Sequence, residues 1–210
     1  MKLFTLLFGI ATALAAQTPT LTLTGPATAL PGQTVTLQTN LASSAGLNIS
    51  GLQTTFTLPA GMTLGTPAAS TLAVTAGKGV YCGPTNCLLV GVTNGPNPVL
   101  SNNPMVDGAA FTVQLVVGAG IAPGIQAIGL SSLQAANTAA AAIPLTAGTP
   151  YSIRVLSRCD ANGDGVTDLR DVQAVVTAIN TGTGCTLTGG CTVISLVSVL
   201  LAALGGSCSL

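Results

Sequence analysis

The sequence contains no histidine, no glutamate and no tryptophan, and charged side chains make up only 5% of its 210 residues. An ordinary soluble domain carries roughly 25%. Outside one short segment Asp107 is the only carboxylate, so the paired acids of a glycoside hydrolase cannot be assembled. A cysteine nucleophile would need a neighbouring base and a free thiol, and the chain offers neither. Asp107 in MVDGAA reads as a turn residue. The five cations (Lys2, Lys78, Arg154, Arg158, Arg170) are scattered and the net charge is zero. No basic field exists to hold a nucleic acid. Apolar runs are short as well: Val193 to Leu204 offers about twelve mostly apolar residues where a membrane span needs about 20. No membrane span is expected.

What is present begins with MKLFTLLFGIATALAA, which has one lysine, an apolar run from Leu3 to Ile10 and a small-residue exit. That composition is a secretory signal peptide over residues 1–16. A secreted, extracellular chain follows, and its six cysteines (Cys82, Cys87, Cys159, Cys185, Cys191, Cys208) are expected as disulfides. Proximity along the chain suggests Cys82 with Cys87, Cys159 with Cys185 and Cys191 with Cys208. Zinc is the competing reading, but without histidine or paired CxxC knuckles the ligands are missing.

From Thr20 to Leu156 short β-branched runs alternate with turn residues. Strands are expected at Thr20 to Thr24, Thr34 to Leu41, Leu52 to Leu58, Thr71 to Thr75, Leu88 to Thr93, Phe111 to Val117, Ile125 to Leu133 and Tyr151 to Leu156. In TVTLQTNL, Val35, Leu37 and Leu41 are the apolar positions among polar neighbours, and in LQTTFTL, Leu52, Phe56 and Leu58 are. Each strand therefore covers a core on one face. Pro31-Gly32, Pro59-Ala60-Gly61 and Asn94-Gly95-Pro96 mark turns. The fold class is mainly β, an antiparallel sandwich over residues 17–156. Ala135 to Ile143 fits a helical turn and a poorly patterned strand equally. Phe56 and Phe111 are expected in the core, and Tyr151 at a strand start.

After Leu156 the period changes to helical. Leu169, Val172, Val175, Val176 and Ile179 fall three or four apart, as do Leu196, Val199, Leu200 and Ala203. Setting Asp171 over Ser195 superimposes the two segments at an offset of 24, so residues 157–210 form a tandem loop-helix module. Neither helix is long enough to be stable alone, so their apolar faces are expected to pack together.

The first loop, DANGDGVTDLRD, holds four of the five acids of the chain. Asp160, Asn162, Asp164, Asp168 and Asp171 stand at positions 1, 3, 5, 9 and 12, with Gly165 at 6 and the Val166 carbonyl at 7. Those are the ligand positions of an EF-hand-like calcium loop, and one Ca2+ site is expected. Two like charges about 4 Å apart repel by about 4 kcal/mol at an effective dielectric near 20. A merely solvated turn has no need of such clustering.

Position 12 is Asp171 rather than glutamate, and a strand rather than a helix enters the loop. In both respects CDANGDGVTDLRDVQAVVTAI resembles the first repeat of a dockerin type I module. The resemblance implies that Leu169, Arg170, Val176 and Thr177 are read by a partner. The second repeat, GCTLTGGCTVISLVSVLLAAL, keeps the helix but has Gly184, Thr186, Thr188, Thr192 and Ser195 at the metal positions, so it should bind no calcium. If Cys191 and Cys208 are bridged, the disulfide would stiffen this half.

The front, LTGPATALPGQTVTLQTNLASSAGLNISGLQTTFTLPAGMTL, resembles the opening of a cohesin domain. That resemblance implies a nine-stranded jelly roll, related to carbohydrate-binding modules, that docks a dockerin on one sheet face. The whole chain then reads as a secreted, non-catalytic protein-protein connector serving polysaccharide-degrading assemblies. Its expected partner is a cohesin- or dockerin-bearing protein, another copy of this chain included. The alternative is a lectin-like, carbohydrate-binding sandwich with a structural calcium module, in which Tyr81, within the small loop GVYCGPTNC, is the available aromatic.

Overall fold

The computed structural model describes residues 18–42, 44–92, 96–187, 190–208 and 210. The expected signal peptide (1–16), the Asn94-Gly95 part of one expected turn, and Thr188 of the expected second repeat lie outside the described residues.

Twelve named strands and three helices run along the described chain. The strands are β1 (Thr20–Thr24), β2 (Thr28–Ala29), β3 (Thr34–Ala42), β4 (Ile49–Thr57), β5 (Met62–Ala69), β6 (Gly79–Cys82), β7 (Asn86–Val90), β8 (Gly108–Val117), β9 (Gly124–Asn137), β10 (Ala142–Ile143), β11 (Thr146–Ala147) and β12 (Tyr151–Val155). The helices are α1 (Thr71–Thr75), α2 (Leu169–Thr181) and α3 (Val193–Ala203). One sheet has the order β11-β1-β3-β8-β5; the other runs β2-β12-β9-β4-β7-β6, with β10 added on β9. The pairings are antiparallel except where the two-residue β2 and β11 add in parallel.

Alternation decides which face is inward. In β3 and β8, Leu37 faces Val113 and Val35 faces Leu115 across the ladder, and all four are buried. From the opposite sheet Leu52, Phe56, Leu89, Ile128 and Ile153 close on them, and Phe111 completes the layer from β8. Each such side chain contributes about 1.5–3 kcal/mol when taken out of water. Phe56 and Phe111 are thus core residues, as alternation requires.

Three local expectations are corrected. Thr71 to Thr75 is a short helix rather than a strand, because the Ser70 side chain caps it by accepting from the Ala73 N–H at 3.1 Å. β5 lies where no strand is expected: Gly65 and Pro67 break its pattern, and the ladder slips between Leu64 and Pro67. It is an edge strand, the place where a sheet tolerates proline. The ambiguous stretch Ala135 to Ile143 is the end of β9, a turn and β10. Asn137 closes that turn, its Oδ1 accepting from the N–H groups of Ala139 (3.0 Å) and Ala141 (2.9 Å).

A second cluster of buried residues gathers Cys159, Ala161, Val175, Leu187 and Val199, with Val172, Leu196 and Ala202 packed around it. α2 and α3 do pack together, but not by every expected residue. Leu169, Val176 and Ile179 face solvent from α2 and Leu200 from α3. Spacing could not separate inside from outside on α3, since nearly all of its residues are apolar.

All six cysteines are bridged, with one pair as expected and two exchanged. Cys82 joins Cys87, whereas Cys159 joins Cys208 and Cys185 joins Cys191. The helix pair folds back on itself and returns Cys208 to the buried Cys159, 5.8 Å away between Cα atoms. Cys185 and Cys191, six residues apart, bridge to each other and leave Cys159 for Cys208, whereas the expectation joins the cysteines in chain order. No helix among the described residues is long and apolar enough to cross a membrane.

Candidate functional site

The acidic loop leaves β12 through Leu156 and Ser157 and ends in the first turn of α2. Its winding is fixed by carboxylates accepting from backbone N–H groups. Asp160 takes Gly163 on Oδ1 and Gly165 on Oδ2, both at 2.8 Å. Asp171 takes Asn162 on Oδ1 at 2.9 Å and Asp168 on Oδ2 at 2.8 Å, the latter bond forming half of a capping box with the Asp168 side chain. Asp164 accepts from Val166 N–H at 2.9 Å and from the Asn162 amide at 3.2 Å. Such charge-assisted bonds are stronger than neutral ones, which is why these twelve residues hold one conformation here.

The six expected ligand residues are therefore drawn into one loop but not into equal environments. Asp171 is wholly buried and Asp160 nearly so, while Asn162, Asp164 and Val166 are exposed and Asp168 is half-buried. Burial is the main force raising the Asp160 pKa. The Gly165 and Gly163 N–H groups oppose it, and the Asp171 and Asp164 carboxylates add to it. The loop thus holds mutually repelling anions within a partly desolvated turn. Among the described residues no group of three or more His, Cys, Asp or Glu side chains is gathered closely enough to hold a metal ion.

The donor chemistry nonetheless fits a hard cation. Every polar ligand atom is an oxygen, and each Asp160 and Asp171 oxygen has one backbone donor in the bonds above, leaving lone pairs free. The Thr167 Oγ1 in the same loop is buried with no hydrogen-bond partner.

Sequence reasoning missed the basic residues around this loop. Gly165 has φ +90°, a left-handed value, and a Cβ there would run into the Arg154 guanidinium from β12. The left-handed backbone is what favours glycine here, since the exposed Arg154 side chain could swing aside from a Cβ. Arg158 donates from Nη2 to the Pro31 carbonyl at 3.3 Å and from Nη1 to the Leu210 carbonyl at 3.2 Å, joining the sandwich to the end of the tail. The available signal was charge itself: of the three arginines, Arg154 and Arg158 lie just ahead of the acidic segment and Arg170 within it.

At the offset of 24, Asp168 aligns with Thr192 and Asp171 with Ser195. Both pairs build the same capping box, and Ser195, like Asp171, is buried. Ser195 Oγ donates to the Gly190 carbonyl at 2.8 Å. Cys185 and Cys191 close this second loop, and the Thr186 hydroxyl donates to the Ala161 carbonyl of the first.

The four residues expected to meet a partner lie on one side of α2. Leu169, Arg170, Val176 and Thr177 are all exposed. On the sandwich, the outer surface of the β9-β4-β7 region carries a cavity of about 510 Å³ lined by Leu52, Gln53, Leu88, Val90, Leu133 and Ile143, with no charged residue in its wall. Tyr81 is 44% exposed on β6, whereas the Tyr151 hydroxyl is tied to the Pro26 carbonyl.

Asp107 serves structure: its Oδ1 accepts from the Ser44 N–H at 2.8 Å and from the Ser44 hydroxyl, joining two loops. Lys78, buried at the other end of α1, donates to the Ser101 carbonyl at 3.2 Å, and desolvation holds its pKa below the usual lysine range.

No family model matches the chain, and no curated protein matches it in sequence. Solved structures do match in fold. A chain of the CaDoc0917–CaCohA2 complex superimposes with TM-score 0.51 at 16% identity, covering 66% of this chain and 99% of that one. A chain of a type I cohesin–dockerin complex from Clostridium thermocellum gives TM-score 0.51 at 14% identity, again covering 66% and 99%. A non-cellulosomal cohesin from Archaeoglobus fulgidus aligns at TM-score 0.48 and 12% identity over 67% of this chain and 93% of its own. The first two establish a cohesin-like β-sandwich fold.

Proposed function

We propose that this chain is an exported, non-catalytic connector in which a cohesin-like sandwich (17–156) and a calcium-ordered, dockerin-like tail (157–210) each dock a protein partner. The observation that carries the reading is the presence in one chain of a cohesin-like sandwich and a loop with oxygen ligands at positions 1, 3, 5, 7, 9 and 12. The inventory of the chain also supports it, because a protein without histidine, glutamate or free cysteines has little with which to catalyse.

In this reading Asp160, Asn162, Asp164, Asp168, Asp171 and the Val166 carbonyl hold one Ca2+, which neutralises the clustered carboxylates. The protein residues do the rest: Gly165 allows the turn, and the Asp168–Asp171 capping box starts α2. Leu169, Arg170, Val176 and Thr177 form the face read by a cohesin-bearing partner. The uncharged outer surface around Leu88 and Val90 is the docking face for a dockerin-bearing partner, another copy of this chain or a different protein of a polysaccharide-degrading assembly. A lectin role has less support, since Tyr81 is the single exposed tyrosine among the described residues and extended sugars stack on several aromatics.

Calorimetric calcium titration of residues 17–210, followed by sedimentation velocity in calcium and in chelator, tests the reading. Binding of one calcium per chain is expected. A calcium-dependent rise in mass would mean that tail and sandwich dock between copies; calcium binding by an unchanged monomer would point to outside partners. Absence of calcium binding would overturn the tail assignment.

A further inference from the structure

The helix α3 is turned with its greasier side outward. Val193, Ile194, Val197, Leu200, Leu201 and Leu204 are all exposed, from 38% at Leu200 to 79% at Ile194. Its buried positions are Ser195, Ser198 and Val199. At 3.6 residues per turn the six exposed residues fill a continuous arc of roughly 120°, the width with which a helix ordinarily faces a core. Solvent-facing helices normally place charged residues there, yet no residue from Val172 to Leu210 carries a charge.

The offset of 24 sharpens the point. The corresponding outer positions of α2 are Leu169, Arg170, Gln173, Val176, Thr177 and Asn180, four of them polar or charged. The apolar character is therefore special to α3 and not a general property of this module.

Within the arc, Ile194, Val197, Leu201 and Leu204 recur at intervals of three, four and three, the a/d spacing of a helix-helix seam. Val193 and Leu200 flank them. The spacing is self-complementary: laid antiparallel on a second copy, Ile194 meets Leu204 and Val197 meets Leu201, and a two-fold axis passes between them. Neither helix carries a charge that would repel the other or select a charged partner.

We propose that α3 is the interface of a two-fold homodimer, formed by antiparallel packing of its Ile194–Val197–Leu201–Leu204 seam against the same seam of a second copy. This goes beyond the connector reading and does not depend on it, since it uses neither the sheet face nor the outer side of α2.

Sedimentation velocity of the purified chain at constant calcium, over a range of protein concentration, tests it. A reversible monomer-dimer equilibrium is expected. Val197→Lys or Leu201→Glu alone should raise the dimer dissociation constant by roughly tenfold or more, because each sets a charge against an apolar partner. The double variant V197K/L201E brings opposite charges together across the antiparallel seam, and should recover the dimer at low salt and lose it again at high salt. These side chains are already in solvent, so circular dichroism should report an unchanged monomer fold. A monomer at every concentration would overturn the proposal. So would a dimer that survives the single variants, or one lost in the double variant as in the singles, since the stripe would then be packing on some other apolar surface. Calcium-dependent docking between the α2 face of the tail and a sandwich would persist in the Val197→Lys variant, which separates the two ideas.

Discussion

The two loop-helix units of the tail share a capping arrangement and an offset of 24 residues, yet they hold their loops by different means. In the first, four aspartates are wound into twelve residues and bond to the loop backbone through Asp160 and Asp171. In the second, Ser195 stands in the place of Asp171, and the Cys185–Cys191 bridge joins the second and eighth positions of the aligned loop. One loop accumulates negative charge that calls for a counter-ion; the other has none and is closed covalently. The comparison teaches that one capping arrangement can follow a loop secured by carboxylate hydrogen bonds or by a cross-link; on the proposed reading the first depends on available calcium, and the second on an oxidising medium.

The largest expected effect comes from removing the buried carboxylate at the twelfth position. Asp171→Ala should abolish calcium binding by titration calorimetry and leave the sandwich folded, whereas Ser195→Ala should leave calcium binding intact and cost about 1 kcal/mol of thermal stability through its lost capping bond. Collapse of the sandwich in Asp171→Ala would show that the two parts fold as one. Next comes the covalent half. Cys185→Ser together with Cys191→Ser should destabilise the tail by about 2 kcal/mol on chain-entropy grounds, with an unchanged calcium affinity in the first loop. Gly165→Ala should cost about 1–2 kcal/mol for its left-handed backbone, with a small further loss where the new Cβ displaces Arg154; the matching change at Gly182, which lies open to solvent at the end of α2, should cost only the backbone part.

The smallest effect is in pH. The folded chain raises the Asp160 pKa above an unfolded value of about 3.9, so over that interval the folded state binds more protons than the unfolded one. Stability in chelator should therefore fall as pH rises from about 4 through the raised value, then level off. On the proposed reading calcium would compete with those protons, so its affinity should climb over the same interval. The second loop contains no titratable acid and should contribute to neither trend; differential scanning calorimetry in chelator and in calcium reads both.

Much of the sandwich was legible because most inward residues of β3, β4 and β8 are apolar and alternate with threonine and glutamine, although Thr39 and Thr54 also point inward and are wholly buried. Legibility failed where local chemistry overrode alternation: at Ser70, whose cap turns Thr71 to Thr75 into a helix, and at Gly65 and Pro67, which disguise an edge strand. In the tail the ligand spacing located the loop, and the four α2 residues expected at a surface are all exposed. Which side of α3 faces inward was not legible, since a helix with apolar residues all round gives no stripe to read. Pairing in chain order misassigns four of the cysteines: Cys185 and Cys191, only six residues apart, close the second loop on themselves and leave Cys159 to meet Cys208 where the helix pair returns.

Arg158 joins three places that are far apart in sequence: its own turn after β12, the Pro31 carbonyl and the Leu210 carbonyl. Only Leu156 and Ser157 separate the last strand from this clamp and from Cys159, which is itself bridged to Cys208. The chain has no flexible tether between its two halves, so a partner on the tail cannot search space as it would at the end of a glycine-serine linker. On the proposed reading, a partner on the sheet face and one on the helices would be held at a set distance and bearing, and simultaneous engagement would become a question of geometric fit, with effective concentration either high or nearly zero.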